Sequence, residues 1–155
     1  RLSFSKMTGS SFKKGIIKDI LISTNYEFGK NISRLLYGGA VDLNLPGFSF
    51  FMVNLYRRND PELLGSTYQA TIAWNRPFKI RNSNFLFEGF ADFVGSEGTN
   101  QSNELIVPRL MYDIGESWGN PRRIQVGIEF QYWHNKFGIK GVTEVAPQFI
   151  AKWIF

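Results

Sequence analysis

T-E-V-A-P-Q-F-I-A-K-W-I-F, residues Thr143 to Phe155, ends the chain and decides how the rest of it is read. Phe149, Ala151, Trp153 and Phe155 share one parity, while Glu144, Gln148 and Lys152 share the other. Successive side chains of a strand point to opposite faces, so this run is a strand with one apolar-aromatic face and one polar face. A chain terminus is ordinarily polar and solvated. A last strand that is apolar towards lipid and polar towards a lumen belongs to an outer-membrane barrel. A β-sandwich with an aromatic final strand fits the same residues.

The two-residue rhythm recurs upstream. Gly15 to Phe28 sets Ile20, Ile22, Thr24, Tyr26 and Phe28 against Asp19, Ser23, Asn25 and Glu27, and Gly29-Lys30-Asn31 closes it. Ser33 to Asn44 and Phe48 to Asn59 follow, joined by the tight turn Leu45-Pro46-Gly47. Ser66 to Arg76 gives the cleanest alternation, with Tyr68, Ala70, Ile72 and Trp74 opposite Thr67, Gln69, Thr71 and Asn75. Ser83 to Val94, Glu104 to Asp113 and Arg122 to His134 repeat the form before the closing strand. Arg1 to Met7 reads as the tail of another strand, with a turn at Gly9-Ser10-Ser11. Pro108 has no N–H for a ladder, which predicts an edge position or a bulge.

Eight full strands of about ten residues or more are longer than soluble sheets use and match what spans a bilayer when tilted. No stretch has helical period and no linker appears. The expectation is one all-β domain over 1–155, a transmembrane antiparallel up-and-down β-barrel.

Composition narrows the function. The chain has 155 residues, 43% apolar and 16% aromatic, which fits strand interiors and interfacial girdles alike. It has no cysteine, which removes disulfides and thiol chemistry. A net charge of +5 is spread without a block of like charges, so no nucleic-acid polymer is expected as partner. His134 is the only histidine, so neither a metal site nor a Ser-His-Asp triad is expected. Glu88 and Asp92 lie about 13 Å apart along one strand face, too far for paired-carboxylate hydrolysis. The glycines at 38–39 and 95–98 lack phosphate-loop spacing. No catalytic residue and no cofactor is expected. Arg1-Leu2-Ser3-Phe4 has no initiator Met or signal peptide before it, so the sequence is expected to begin partway into a longer protein.

Arg1 to Gly9, Gly15 to Ile20, D-L-N-L-P-G-F-S-F-F-M-V-N-L-Y-R-R (Asp42 to Arg58), F-E-G-F-A-D-F (Phe87 to Phe93), V-P-R-L-M-Y-D (Val107 to Asp113) and the terminal A-P-Q-F-I-A-K-W-I-F resemble the nucleoside-specific channel-forming (Tsx-like) family of Gram-negative outer membranes, which includes vibrio phage-receptor porins. The resemblance runs in order along nearly the whole chain. It implies a monomeric twelve-stranded barrel that passes nucleosides, with this sequence covering the end of the fourth strand and strands five to twelve. Eight strands closed on themselves would fill their interior with side chains.

If the apolar parities meet lipid, the polar ones converge on a lumen. The residues expected to contact solute there are Asn54, Tyr56, Arg58, Glu88, Phe90 and Asp92, followed by Arg109, Asp113, Glu129, Gln131, Trp133 and Lys152. A nucleoside has a flat base and a hydroxyl-rich sugar, so aromatic faces suit the one and carboxylate, amide and guanidinium groups the other. The opposite reading is that these charges brace each other and fix register. The partners expected are thus nucleosides and outer-membrane lipid. The alternatives are a plugged barrel recognised by phage through loops at Asn59 to Gly65, Gly95 to Asn103 and Lys136 to Gly141, and a soluble lipocalin-like barrel.

Overall fold

Nine strands pair in strict chain order, every neighbour antiparallel, in a computed structural model that describes residues 1–9, 15–29 and 32–154. They are β1 (Leu2–Ser3), β2 (Ile17–Gly29), β3 (Ile32–Leu43), β4 (Phe50–Asn59), β5 (Thr67–Ile80), β6 (Ser83–Val94), β7 (Asn103–Asp113), β8 (Ile124–His134) and β9 (Glu144–Trp153). The eight long strands are the eight read from the alternation, so the all-β up-and-down architecture holds. Among the described residues no ladder joins β9 to β1 or β2, so the sheet is open along those edges. The turns expected at Ser10-Ser11 and Lys30-Asn31, and the face of Phe155, lie outside the described residues.

Three local expectations are corrected. The strand expected through Met7 stops at Ser3, and Phe4–Thr8 forms a short helix, α1. Ser3 Oγ caps it by accepting from the Lys6 N–H, Asp19 accepts from the Ser5 N–H, and Gly9 closes it in the left-handed region at φ 70°. Caps decide one helical turn where no period is present to read. Pro108 sits in an interior strand without a bulge. Ile106 faces Tyr132 and Arg109 faces Glu129 in unchanged register, so the ladder only omits the rungs between. Strand β5 runs past Arg76 to Ile80, through Pro77, because beyond Asn75 its only neighbour is β6.

Which face is inside follows from contacts that skip a strand. Neighbouring strands are about 4.8 Å apart, so residues on β6 and β9 would be separated by about 14 Å in a flat sheet. Yet Lys152 Nζ of β9 lies 2.9 Å from Glu88 Oε1 of β6. Likewise Tyr56 Oη of β4 reaches Ser23 Oγ of β2 at 3.0 Å, and Arg1 reaches Asp42 of β3 at 2.7 Å. All of these carry the polar parity, so the sheet is curled with that parity on its concave side.

Glycine permits a close backbone approach beneath the Ser23–Tyr56 bond and an aromatic contact on the opposite face. Ser23, Gly38 and Tyr56 share one register row, and a Cβ on Gly38 would lie 1.9 Å from the Leu55 carbonyl oxygen. On the convex side Trp74 faces Gly89, where a Cβ would lie 2.8 Å from the indole. A Gly38→Ala change is therefore expected to cost about 1–3 kcal/mol, the range for overpacking, read as a lowered midpoint of denaturant unfolding.

The apolar parity is left outside. Phe149 is 96% exposed, Phe28 82%, and Tyr68 and Trp153 68% each. In contrast, Arg58, Asp60, Glu97, Asp113 and Gln125 are buried. Leu36, Val107 and Met111 are buried on the same concave parity, yet so many buried charged groups beside so many exposed aromatics are unlike a protein folded in water.

Candidate functional site: the concave face and its two ends

Alternation places all twelve expected solute-contacting residues on the concave face, and pairing decides what each one touches. Glu88 accepts from Asn75 Nδ2 at 3.0 Å and from Lys152 Nζ, and its register partner Arg109 pairs with Glu129 on the next strand. Thr71 Oγ1 donates to Asp92 at 2.5 Å, with Gln69 Nε2 at 3.4 Å. Gln131 donates to Glu144 at 2.6 Å, and Lys136 binds the other oxygen of that carboxylate. These bonds form a lattice of opposed charges along β5–β9. Much of the expected site thus braces the wall, as the second reading of those charges anticipated.

The up-and-down topology sends the loops alternately to two ends. At one end lie 60–66, 95–102 and 135–143, the three loops that the sequence put forward as a recognition surface. They are bonded to one another. The Glu97 carboxylate, fully buried, accepts from Arg58 at 2.8 Å and from the Asp60 N–H at 3.0 Å. Gln101 N–H donates to the Gly138 carbonyl at 2.8 Å, and Asn135 Nδ2 to the Ser102 carbonyl at 2.9 Å. Arg34 adds a 2.7 Å bond to Asp60. Burial by itself raises the Asp60 carboxyl. The Arg34 hydrogen bond, the Glu62 N–H and the charges of Arg34 and Arg58 outweigh it, so its pKa lies below the ordinary carboxylate range.

Beneath this collar is a cavity of about 400 Å³ lined by Arg34, Arg58, Gln69, Asp92, Trp133 and Phe137, among others. The Trp133 and Phe137 rings meet edge to face at 4.6 Å, with the Lys136 ammonium 5.2 Å from the Trp133 ring. The indole N–H of Trp133 is buried without a hydrogen-bond partner. Aromatic surface beside a carboxylate, an amide and guanidinium groups can stack a flat ring and bond its edge.

A second cavity of about 560 Å³ opens at the other end, beside the turns 44–49, 81–82 and 114–123. Asp113 and Lys152 of the expected set line it. Asp113 also holds the 114–123 turn, accepting from the Gly115 N–H at 3.1 Å and the Arg122 N–H at 2.7 Å. Arg58, Asp92 and Trp133 line the loop-end cavity. Asn54, Tyr56, Glu88, Phe90, Arg109, Glu129 and Gln131 line neither and occupy the inner wall. Asn54 is buried with its Oδ1 unpartnered, and Tyr56 is held by Ser23.

Sequence reasoning missed Arg34, Gln69, Phe137 and Glu97 at one end and Lys79, Arg122 and Gln125 at the other. Gln69 and Gln125 already stood on the polar parity, which was the signal available. Glu97 and Phe137 lie in loops, where no period marks a side chain. No group of acidic, histidine or cysteine side chains suited to a metal ion occurs among the described residues. No family model matches the chain, and no curated protein matches it in sequence.

Glu97→Ala removes the nearer of the two carboxylates beside buried Arg58, leaving Asp60 at 3.9 Å, and strands the Asp60 N–H. It is expected to cost about 1–3 kcal/mol, measured by denaturant unfolding against the parent. The Asp60 pKa is depressed on folding. Its contribution is therefore complete above the unfolded carboxyl's value of about 3.9 and is lost as pH falls through the lower folded value. Protease cleavage within 60–66 and 95–102 is expected to rise only in that acidic window.

Proposed function

We propose that the chain forms the wall of a bacterial outer-membrane channel through which nucleosides diffuse passively along the concave face. One observation carries this reading: the aromatic parity is on the convex side, exposed, while the charged parity is turned inward and mutually bonded. Water penalises such an arrangement, whereas lipid outside and a hydrated lumen inside favour it. No described helix is long and apolar enough to cross a membrane, so any crossing is made by strands.

A bilayer leaves no backbone group unpaired in its apolar layer, so the free edges of the sheet must be met there. Either they pair with each other or further strands complete the ring, twelve in all by the family resemblance. The loop-end cavity is the place where a base would stack, on Trp133 and Phe137, with Asp92, Gln69 and Arg58 beside its edge and ribose. Conduction requires binding weak enough to release, and no chemical step is involved.

The bonded loops favour a second reading, a surface receptor for phage with a plugged interior. Leu64, Phe137 and Ile139 are exposed on that platform, apolar points on a surface otherwise held by charges. Liposome swelling separates the readings. Adenosine or thymidine flux well above that of a similar-sized sugar is expected for the channel, whereas no flux favours the receptor. Ile72 lies on the convex face between Val53 and Ala91. Ile72→Arg is expected to cost roughly 2–4 kcal/mol of membrane insertion, and unchanged folding into bilayers would overturn the lipid-facing assignment.

A further inference from the structure

The turn-end cavity has an electrostatic character that a passage for neutral solutes does not need. Lys79, Arg122 and Lys152 line it, against the single carboxylate of Asp113. The carboxylates in reach are engaged. Asp113 holds two backbone N–H groups, Glu116 accepts from Asn84 at 2.5 Å, and Glu88 is bonded to Lys152 and Asn75. Among the described residues neither the Lys79 ammonium nor the Arg122 guanidinium has an anionic partner within salt-bridge distance. Both are exposed at the mouth.

Deeper in the same cavity stands Gln125, on the concave parity between Asp113 and Lys152 in the register. It is 7% exposed, and its Oε1 is buried with no hydrogen-bond partner. A buried acceptor left unpaired is destabilising, and the group that relieves it must donate. Two unpaired cations at the rim and one unpaired acceptor further in therefore describe the ligand's complement, an anionic group joined to a hydroxyl.

We propose that this cavity is a binding site for small polyhydroxylated anions, phosphorylated sugars or hydroxy acids. The anionic group sits between Lys79 and Arg122, where charge-assisted hydrogen bonds hold it. A hydroxyl of the same molecule donates to Gln125 Oε1. A neutral sugar leaves the cations unmatched, and an inorganic anion without a hydroxyl leaves Gln125 unmatched. The site does not require that the solute cross the membrane.

Binding is measured on the folded chain in detergent, by calorimetric titration with ribose 5-phosphate, gluconate, ribose and sulfate. Ribose 5-phosphate or gluconate is expected to bind at least about tenfold more tightly than ribose, the size of one charge-assisted hydrogen bond, and more tightly than sulfate. Whichever of the two is tighter names the anionic group as phosphate or carboxylate. The preference over ribose is expected to shrink as ionic strength rises. The double variant Lys79→Gln with Arg122→Asn should bring ribose 5-phosphate down to ribose; Asn suits position 122, where φ is 67°. Gln125→Leu should abolish the preference over sulfate while keeping the preference over ribose. Equal binding of ribose and ribose 5-phosphate by the parent chain overturns the proposal, as does a double variant that keeps full discrimination. Absent nucleoside flux with intact anion binding would refute the channel reading alone, and the converse would refute the anion site alone.

Discussion

A single antiparallel ladder in near-constant register is the constraint on which everything else in this molecule depends. From β2 to β9 each strand meets the next without slippage, apart from one irregularity between Ile17 and Asp19. Because side chains alternate, a shift of one residue in any pair would turn that strand's aromatic set onto the charged face. The ladder thus acts as a sorting device, giving two surfaces of opposite chemistry to a chain whose composition is unremarkable. The curl then brings polar groups three strands apart into contact, as with Lys152 and Glu88.

The charges on the concave side are arranged so that almost every carboxylate has a donor. Glu88, Asp92, Glu129 and Glu144 each accept from a side chain on their own or a neighbouring wall. Such a lattice is rigid, since each group would be left unpaired in a low-dielectric interior if its partner moved. It also leaves few groups free to meet a solute. Apart from Asn54 Oδ1 on the inner wall, those that remain lie at the ends, around Trp133 in one cavity and around Gln125 in the other.

The fold was legible because period two is a simple signal carried over long runs. Tyr68, Ile72 and Trp74 against Thr67, Gln69 and Thr71 state a strand and its faces without help. The short helix after Ser3 was hidden because a cap made by Ser3 and Asp19 joins residues that are distant in sequence. Pro108 was misread because an interior ladder can omit a rung and keep its register. The site was legible only as a face. Parity puts Glu88 and Arg109 on one side, but whether they bind each other or a solute depends on the pairing of strands, which one sequence does not print. Glu97, the counter-ion on which the loop end depends, sits where there is no rhythm at all.

The collar formed by residues 60–66, 95–102 and 135–143 has a consequence for how that mouth can change. Surface loops usually vary in length independently of one another. Here Glu97 of one loop holds the backbone of the next at Asp60, and Gln101 holds a third at Gly138. Inserting even a short segment into any one of them would pull a buried carboxylate or a shared carbonyl out of place in another. The three therefore form one mechanical unit, whose shape is altered only by coordinated changes or not at all.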